Sequence, residues 1–186
     1  MKRKIAIATI TATALIGAGG VVAAADGEAQ QATKTSSVQD DDTRDAKQAK
    51  TTAAEAAAAA QKSAPGTVTG IELDDEKNNV VWEVELTKGN TSHEVTLDAA
   101  TNKVISDHKE QDDDEASPTQ LSAAEAARAA AAHGTVTSVD LEDDAKKPAW
   151  EVETLKNGKE HELTVDTKTG KVTQERNDES EDTDDD

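Results

Sequence analysis

Two stretches of this chain repeat each other at a constant offset of 68 residues, Gly66 to Val104 and then Gly134 to Val172. Gly66-Thr67-Val68-Thr69 returns as Gly134-Thr135-Val136-Thr137, Trp82-Glu83-Val84-Glu85 as Trp150-Glu151-Val152-Glu153, and His93-Glu94 as His161-Glu162. Repetition at this spacing means one small supersecondary unit used twice, so fold and function must be read from that unit and its duplication. Both tryptophans of the chain, Trp82 and Trp150, occupy the same repeat position.

Each unit opens on a helix. Thr52-Ala-Ala-Glu55 and Ser122-Ala-Ala-Glu125 fit a capping box, in which the hydroxyl accepts from a free backbone N–H and the glutamate reaches back to the cap residue. The Ala-rich runs behind them have high helix propensity, and Gly66 and Gly134 suit a left-handed exit. The spacing predicts helices near 53–63 and 123–132. The period then changes to two. Trp82-Glu83-Val84-Glu85-Leu86 and Trp150-Glu151-Val152-Glu153 alternate apolar residues with acids, and His93-Val95-Leu97 and His161-Leu163-Val165 share a face opposite Glu94-Thr96-Asp98 and Glu162-Thr164-Asp166. Thr67–Leu73 and Thr135–Leu141 supply a first strand, and Val104-Ile105 and Val172-Thr173 begin a short last one. Between the last two strands come tight turns. Asp98 and Asp166 are placed to bond their own backbone, and Asn102 and Gly170 to take a positive φ. The predicted class is α+β: two copies of a module in which one N-terminal helix packs on a three- to four-stranded antiparallel meander.

The stretches outside the repeats are polar. An apolar run, Ile5 to Val22, follows Lys2-Arg3-Lys4 and ends in Ala23-Ala24-Ala25, the pattern of an export signal cleaved after Ala25, with no stable membrane insertion afterwards; the alternative is an uncleaved anchor, since the run is about long enough to span a bilayer. The chain has no Cys, which excludes lipid attachment behind that run and any disulfide. Removing residues 1–25, which hold three basic residues and no acid, takes the formal charge from −19 to −22. The leader 26–49, the linker 106–120 and the tail 174–186 carry 15 of those 22 negative charges. Such segments bury too little apolar surface to offset ordering entropy, and self-repulsion extends them. The folding parts are therefore residues 50–105 and 121–173. A polyanion of this kind is repelled by nucleic acid and by anionic lipid.

Little in the chain supports catalysis. About ten medium apolar side chains per copy make a small core, and scaffolds below roughly 70–80 residues rarely exceed ~3–5 kcal/mol of stability. That leaves little room for a cleft. His93-Glu94 and His161-Glu162 suggest zinc, but a metalloprotease helix needs a second histidine four positions on, where Leu97 and Val165 stand. The imidazoles are read instead as rimming the apolar face near the helix. No cofactor motif, phosphate-binding loop or nucleophile motif occurs. The runs Asp40–Asp42, Asp112–Asp114 and Asp184–Asp186 lack the glycine and terminal glutamate of an EF-hand loop, so they are read as solvated spacers with weak divalent-cation binding at most. Trp82 and Trp150 are read as core plugs.

In order and spacing these motifs resemble the PepSY domain: a helix opening Ser/Thr-Ala-Ala-Glu-Ala-Ala, a Gly-x-Val strand, Trp-Glu-Val-Glu, and a closing His-Glu-Val-Thr-Leu-Asp-x-x-Thr-Asn/Gly-Lys-Val. The resemblance covers residues 51–105 and 121–173. It implies a module of the kind found in propeptides of secreted thermolysin-like metallopeptidases, where it is associated with inhibition, and in free-standing exported proteins. No peptidase domain is read downstream of the repeats, so a propeptide role in cis is not expected. The resulting expectation is an exported, non-enzymatic protein that binds and restrains a secreted peptidase or a cell-envelope protein. Its contact would be a sheet edge or the strand faces bearing Glu83, Glu85, Glu151 and Glu153. The alternative is a polyanionic cation buffer or surface spacer with passive modules.

Overall fold

The structure, a computed structural model, describes residues 43–76, 79–111, 119–142 and 147–174. The expected export signal, residues 26–42 of the leader, Asp112–Asp114 and residues 175–186 of the tail lie outside the described residues.

Each module is a capped helix followed by four antiparallel strands. In the first, α1 (Ala53–Ser63) leads into β1 (Thr67–Glu76), β2 (Asn79–Thr87), β3 (Thr91–Asp98) and β4 (Val104–Gln111). In the second, α2 (Ala123–Ala130) leads into β5 (Thr135–Glu142), β6 (Ala149–Lys156), β7 (Lys159–Asp166) and β8 (Val172–Gln174). Both capping boxes are closed. Glu55 N donates to Thr52 Oγ1 at 3.3 Å while Thr52 N donates to the Glu55 carboxylate at 2.9 Å, and Ser122 and Glu125 make the same pair. Those cap hydrogen bonds, led by the one from the backbone N–H of Thr52 or Ser122, hold the Glu55 and Glu125 carboxyls below their ordinary range.

The second helix ends two residues short of the expected 132. Its copy has two residues fewer between cap and glycine, and the chain must arrive at Gly134, where an added Cβ would stand 2.7 Å from the Leu155 carbonyl oxygen. The last turn therefore opens at Ala131, and His133 N donates to Ala130 O at 2.8 Å. Two expected connectors are also shorter than read. Strand β4 pairs with β3 from Leu97↔Val104 to Thr91↔Gln111, so residues 106–111 belong to the sheet rather than to the linker 106–120. Residues 43–48 of the leader form a helical turn. Arg44 pairs with Asp45 and with Asp75 of β1, and Lys50 N and Thr51 N both donate to Ala99 O at 3.0 Å, fixing the chain ahead of the cap.

The inner face of the sheet carries the core. Ile71, Trp82, Val84, Leu86, Val95 and Leu97 pack under Ala53, Ala56, Ala57 and Ala60, and Val139, Trp150, Val152, Leu163 and Val165 pack under Ala123, Ala126, Ala127 and Ala130. Methyl-only helix faces let the helices lie close to the strands. Val68 and Ile71, three apart, are both buried, as are Val136 and Val139. Simple alternation forbids this. A register shift in each first strand, between Val68 and Gly70 and between Val136 and Ser138, supplies the extra residue.

The two modules are joined. Strands β1 and β5 pair antiparallel through Gly70↔Asp140, Ile71↔Val139 and Glu72↔Ser138, giving one eight-stranded sheet in the order β4-β3-β2-β1-β5-β6-β7-β8. Since Ser138 is the repeat counterpart of Gly70, and Asp140 that of Glu72, this pairing is two-fold symmetric about Ile71 and Val139. The helices touch each other on the same side, and the buried residues of both copies form a single cluster.

Candidate functional site

The tryptophans lie on the core side. Trp82 is 1% exposed and Trp150 is fully buried. Each indole N–H finds an acceptor one residue ahead of a helix cap: Thr51 Oγ1 at 3.1 Å for Trp82 and the Leu121 carbonyl at 2.9 Å for Trp150. A buried indole needs such a partner, so the two plugs also tie the helix starts to the sheet. His93 sits on the same face, and its Nδ1–H donates to Asp107 of β4 at 2.8 Å. His161 is more exposed, and its Nδ1 accepts from the Gln174 amide at 3.2 Å. Neither imidazole joins a metal-ligand group: among the described residues no three His, Asp or Glu side chains converge to hold an ion.

The turn residues have local work. Asp98 Oδ1 accepts from Thr101 Oγ1 at 2.6 Å and from Ala100 N at 3.2 Å. Asp166 Oδ1 accepts from Thr169 N at 2.7 Å, Thr169 Oγ1 at 2.8 Å and Lys168 N at 3.0 Å. These bonds, the threonine hydroxyl first, hold both carboxyls below the ordinary range. Asn102 (φ 57°) and Gly170 (φ 69°) take the left-handed turn position.

Glu83, Glu85, Glu151 and Glu153 all project from the face away from the helices, because their neighbours Trp82, Val84, Trp150 and Val152 are buried under those helices. The sheet register sets them in two rows. One runs Thr96–Glu83–Glu72–Ser138–Glu153–Glu162 and the other Glu94–Glu85–Gly70–Asp140–Glu151–Thr164. Each row crosses from one module to the other at the β1–β5 seam, and the two-fold axis exchanges the rows. Eight carboxylates thus share six neighbouring strands, which stand about 4.8 Å apart.

Repulsion and burial are strongest near the seam. Glu83 is only 7% exposed. Loss of water, then the carboxylates of Glu94, Asp74, Glu72 and Glu76, push its pKa up to about 7. Asp140 rises to about 6, driven by burial, opposed by the Ser138 hydroxyl that donates to it at 2.5 Å, and raised further by Glu85 acting across the side-chain-free Gly70. Glu72 and Asp140 were not among the residues the sequence singled out. Their part depends on cross-module pairing, for which the only local hint is a small residue, Gly70 or Ser138, at one seam position in each copy.

The family model "Peptidase propeptide and YPEB domain", PepSY, matches residues 50–108 and 120–176. The chain belongs to the PepSY family. Its modules are of the class that serves as peptidase propeptides or in regulation, and PepSY modules are generally non-catalytic. No curated protein is a significant match. Among solved structures, a Clostridium difficile 630 protein described as a "putative lipoprotein" is similar at 23% identity over 62% of this chain and 86% of its own, with a TM-score of 0.39. No helix among the described residues is long and apolar enough to cross a membrane.

Proposed function

We propose that this tandem PepSY chain is an exported, non-catalytic binding protein that restrains an extracytoplasmic peptidase or another cell-envelope protein. One observation carries the reading: duplication has fused two PepSY modules into a single sheet whose helices and core occupy one face while the opposite face presents carboxylates in ordered rows. A wide sheet surface with two strand edges, β4 and β8, suits a protein partner better than a small molecule. A shallow depression between residues 43–48 and the β6–β7 hairpin, lined by Thr43, Ala46, Lys47, Thr135, Leu155, Asn157 and Gly158, brings together no carboxyl or imidazole group. The export signal and the family's association with peptidase propeptides favour a secreted target.

The test is titration of the mature chain, residues 26–186, into the secreted proteolytic activity of the producing organism, with a thermolysin-like metallopeptidase in parallel. Saturable inhibition at near-stoichiometric ratio is the expected result. No inhibition and no co-purifying envelope protein would overturn the reading. The concentration of charge in the connectors favours the cation-buffer alternative. It requires that deleting residues 174–186 and neutralising Asp112–Asp114 abolish cation uptake while leaving any protein partner bound.

A further inference from the structure

The chain contains one Asn-Gly pair, Asn157-Gly158, and that pair forms the tip of the β6–β7 hairpin. Strand pairing runs up to Lys156↔Lys159, so these two residues are the whole turn. Both take a positive φ, 56° and 73°, the type I′ geometry that matches the twist of a hairpin and that Asn and Gly tolerate. The first module closes its corresponding hairpin with the same two residue types in the opposite order. There Gly89-Asn90 lies between Lys88 and Thr91, at the repeat offset of 68. Each turn thus holds an asparagine, but only the second has a glycine behind it.

That order decides a chemical property. A side-chain amide of asparagine is open to attack by the backbone nitrogen of the next residue, and the attack is limited by the bulk of that residue and by whatever holds its N–H. Behind Asn90 stands the β-branched Thr91, whose N–H donates to Lys88 O at 3.3 Å. Behind Asn157 stands Gly158, which has no side chain. Among the described residues the Gly158 N–H makes no hydrogen bond, and neither does the Asn157 amide. Both residues are exposed, and a Cβ built on Gly158 would meet nothing within 4 Å, so the tip can flex without disturbing the core. Lys156 and Lys159 flank the turn and Lys47 lines the same depression, a setting that favours the negative charge developing on the attacking nitrogen and the amide oxygen. The other described asparagines are less open. Asn79 precedes the β-branched Val80 within β2, and Asn102 precedes Lys103, whose N–H donates to Thr101 Oγ1 at 3.4 Å.

We propose that Asn157-Gly158 is a self-modification site, at which the folded protein deamidates and converts the β6–β7 turn to aspartate and isoaspartate. The inference is independent of the function proposed above. Gly158 N bonds to Asn157 Cγ, the Cγ–Nδ2 bond breaks, and ammonia leaves with the proton from the Gly158 N–H. One water then opens the cyclic imide. Attack at Cγ leaves ordinary aspartate, whereas attack at the main-chain carbonyl leaves isoaspartate, in which the chain runs through the former side chain. Aspartate keeps the turn, since it tolerates positive φ as asparagine does. Isoaspartate adds a main-chain atom to a turn whose length sets the pairing Lys156↔Lys159, and so strains the hairpin that carries the buried Leu155 and Leu163. Either product adds a negative charge between lysines.

In the test, residues 26–186 are kept folded in mildly alkaline buffer for weeks and mapped by proteolysis and mass spectrometry, with isoaspartyl methyltransferase labelling. Modification at position 157 should proceed roughly ten times faster than at Asn90, or more. The variant Asn157→Gly/Gly158→Asn gives the second hairpin the turn order of the first, and should lose the reaction while keeping the wild-type urea midpoint. The reciprocal variant Gly89→Asn/Asn90→Gly should acquire it in the first hairpin. Equal rates at Asn157 and Asn90 in the folded wild type would overturn the proposal. So would isoaspartate that forms at 157 in urea but not in native buffer, because the native turn would then be protective. The isoaspartyl fraction, separated by anion exchange, should unfold at lower urea than fresh protein, with Asn157→Asp close to wild type. An isoaspartyl fraction with the wild-type midpoint would refute the strain assigned to the extra atom.

Discussion

Replacing Glu83 by Gln should stabilise the protein, and by an amount that depends on pH in a defined way. Burial and neighbouring carboxylates raise the folded-state pKa of Glu83 from 4.5 to about 7. Below 4.5 both folded and unfolded chains carry the proton, so the carboxylic acid and the amide behave alike. Between 4.5 and about 7 the unfolded chain has released a proton that the folded chain keeps, and wild-type stability falls as pH rises. Above 7 the full cost is present. At about 1.4 kcal/mol per unit the ceiling is about 3 kcal/mol, and screening by water at the sheet surface reduces the expected gain for the glutamine variant to about 1–2 kcal/mol. Urea melts of residues 26–186, followed by indole fluorescence near pH 4, 6 and 8, measure this directly. The gain should be close to zero at the lowest pH and reach its full size at the highest. A gain that is the same at all three values, or a loss at pH 8, would refute the account of Glu83 as a buried, unpaired and mutually repelled carboxyl. Asp140, raised to about 6 mainly by burial, should add a smaller effect of the same sign between 3.8 and 6.

The remaining predictions concern the core and the seam. Thr51→Val removes the acceptor of the Trp82 indole and should cost about 1 kcal/mol in a denaturant melt, whereas Leu121→Val keeps the carbonyl that serves Trp150 and should spare that hydrogen bond. Gly134→Ala should destabilise by about 1–3 kcal/mol, because its Cβ would stand 2.7 Å from backbone and Leu155 cannot easily withdraw; an unchanged midpoint would show that the strand yields. The modules share one cluster of buried residues, so single-tryptophan chains carrying Trp82→Phe or Trp150→Phe should each unfold in one transition, at the same midpoint by fluorescence as by far-ultraviolet circular dichroism. Separate midpoints within one variant would mean the seam is too weak to couple the modules.

Much of the architecture was legible because it is encoded locally. The repeat offset, the capping boxes at Thr52 and Ser122, the period-two strands around Trp82 and Trp150, and the turn residues Asp98 and Asp166 each act within a few residues of themselves. A strand's alternation says which side chains share a face whatever lies beside it, so the four glutamates of Glu83, Glu85, Glu151 and Glu153 could be set on one face from sequence alone. The register shifts in β1 and β5 left a readable trace as well, in the three-residue spacing of Val68 to Ile71 and of Val136 to Val139. Other features left almost none. That residues 106–111 extend the sheet depends on β3 offering a free edge of equal length. That residues 43–48 form a helical turn against the body depends on Asp75, some thirty residues further on.

By itself, then, the sequence determined the module, its duplication, its capped helices and the polarity of each strand face, because these follow from backbone periodicity and hydrogen bonds between near neighbours. Only the tertiary structure decided that the copies meet edge to edge at Ile71 and Val139, which brings Glu72 and Asp140 into the rows. Only it decided that Glu83 is buried among Glu72, Asp74, Glu76 and Glu94 while its repeat counterpart Glu151 is less enclosed. The physical reason is that a carboxyl's solvation and the charges around it are set by strands that are neighbours in space, and the choice of neighbour is made by the whole sheet.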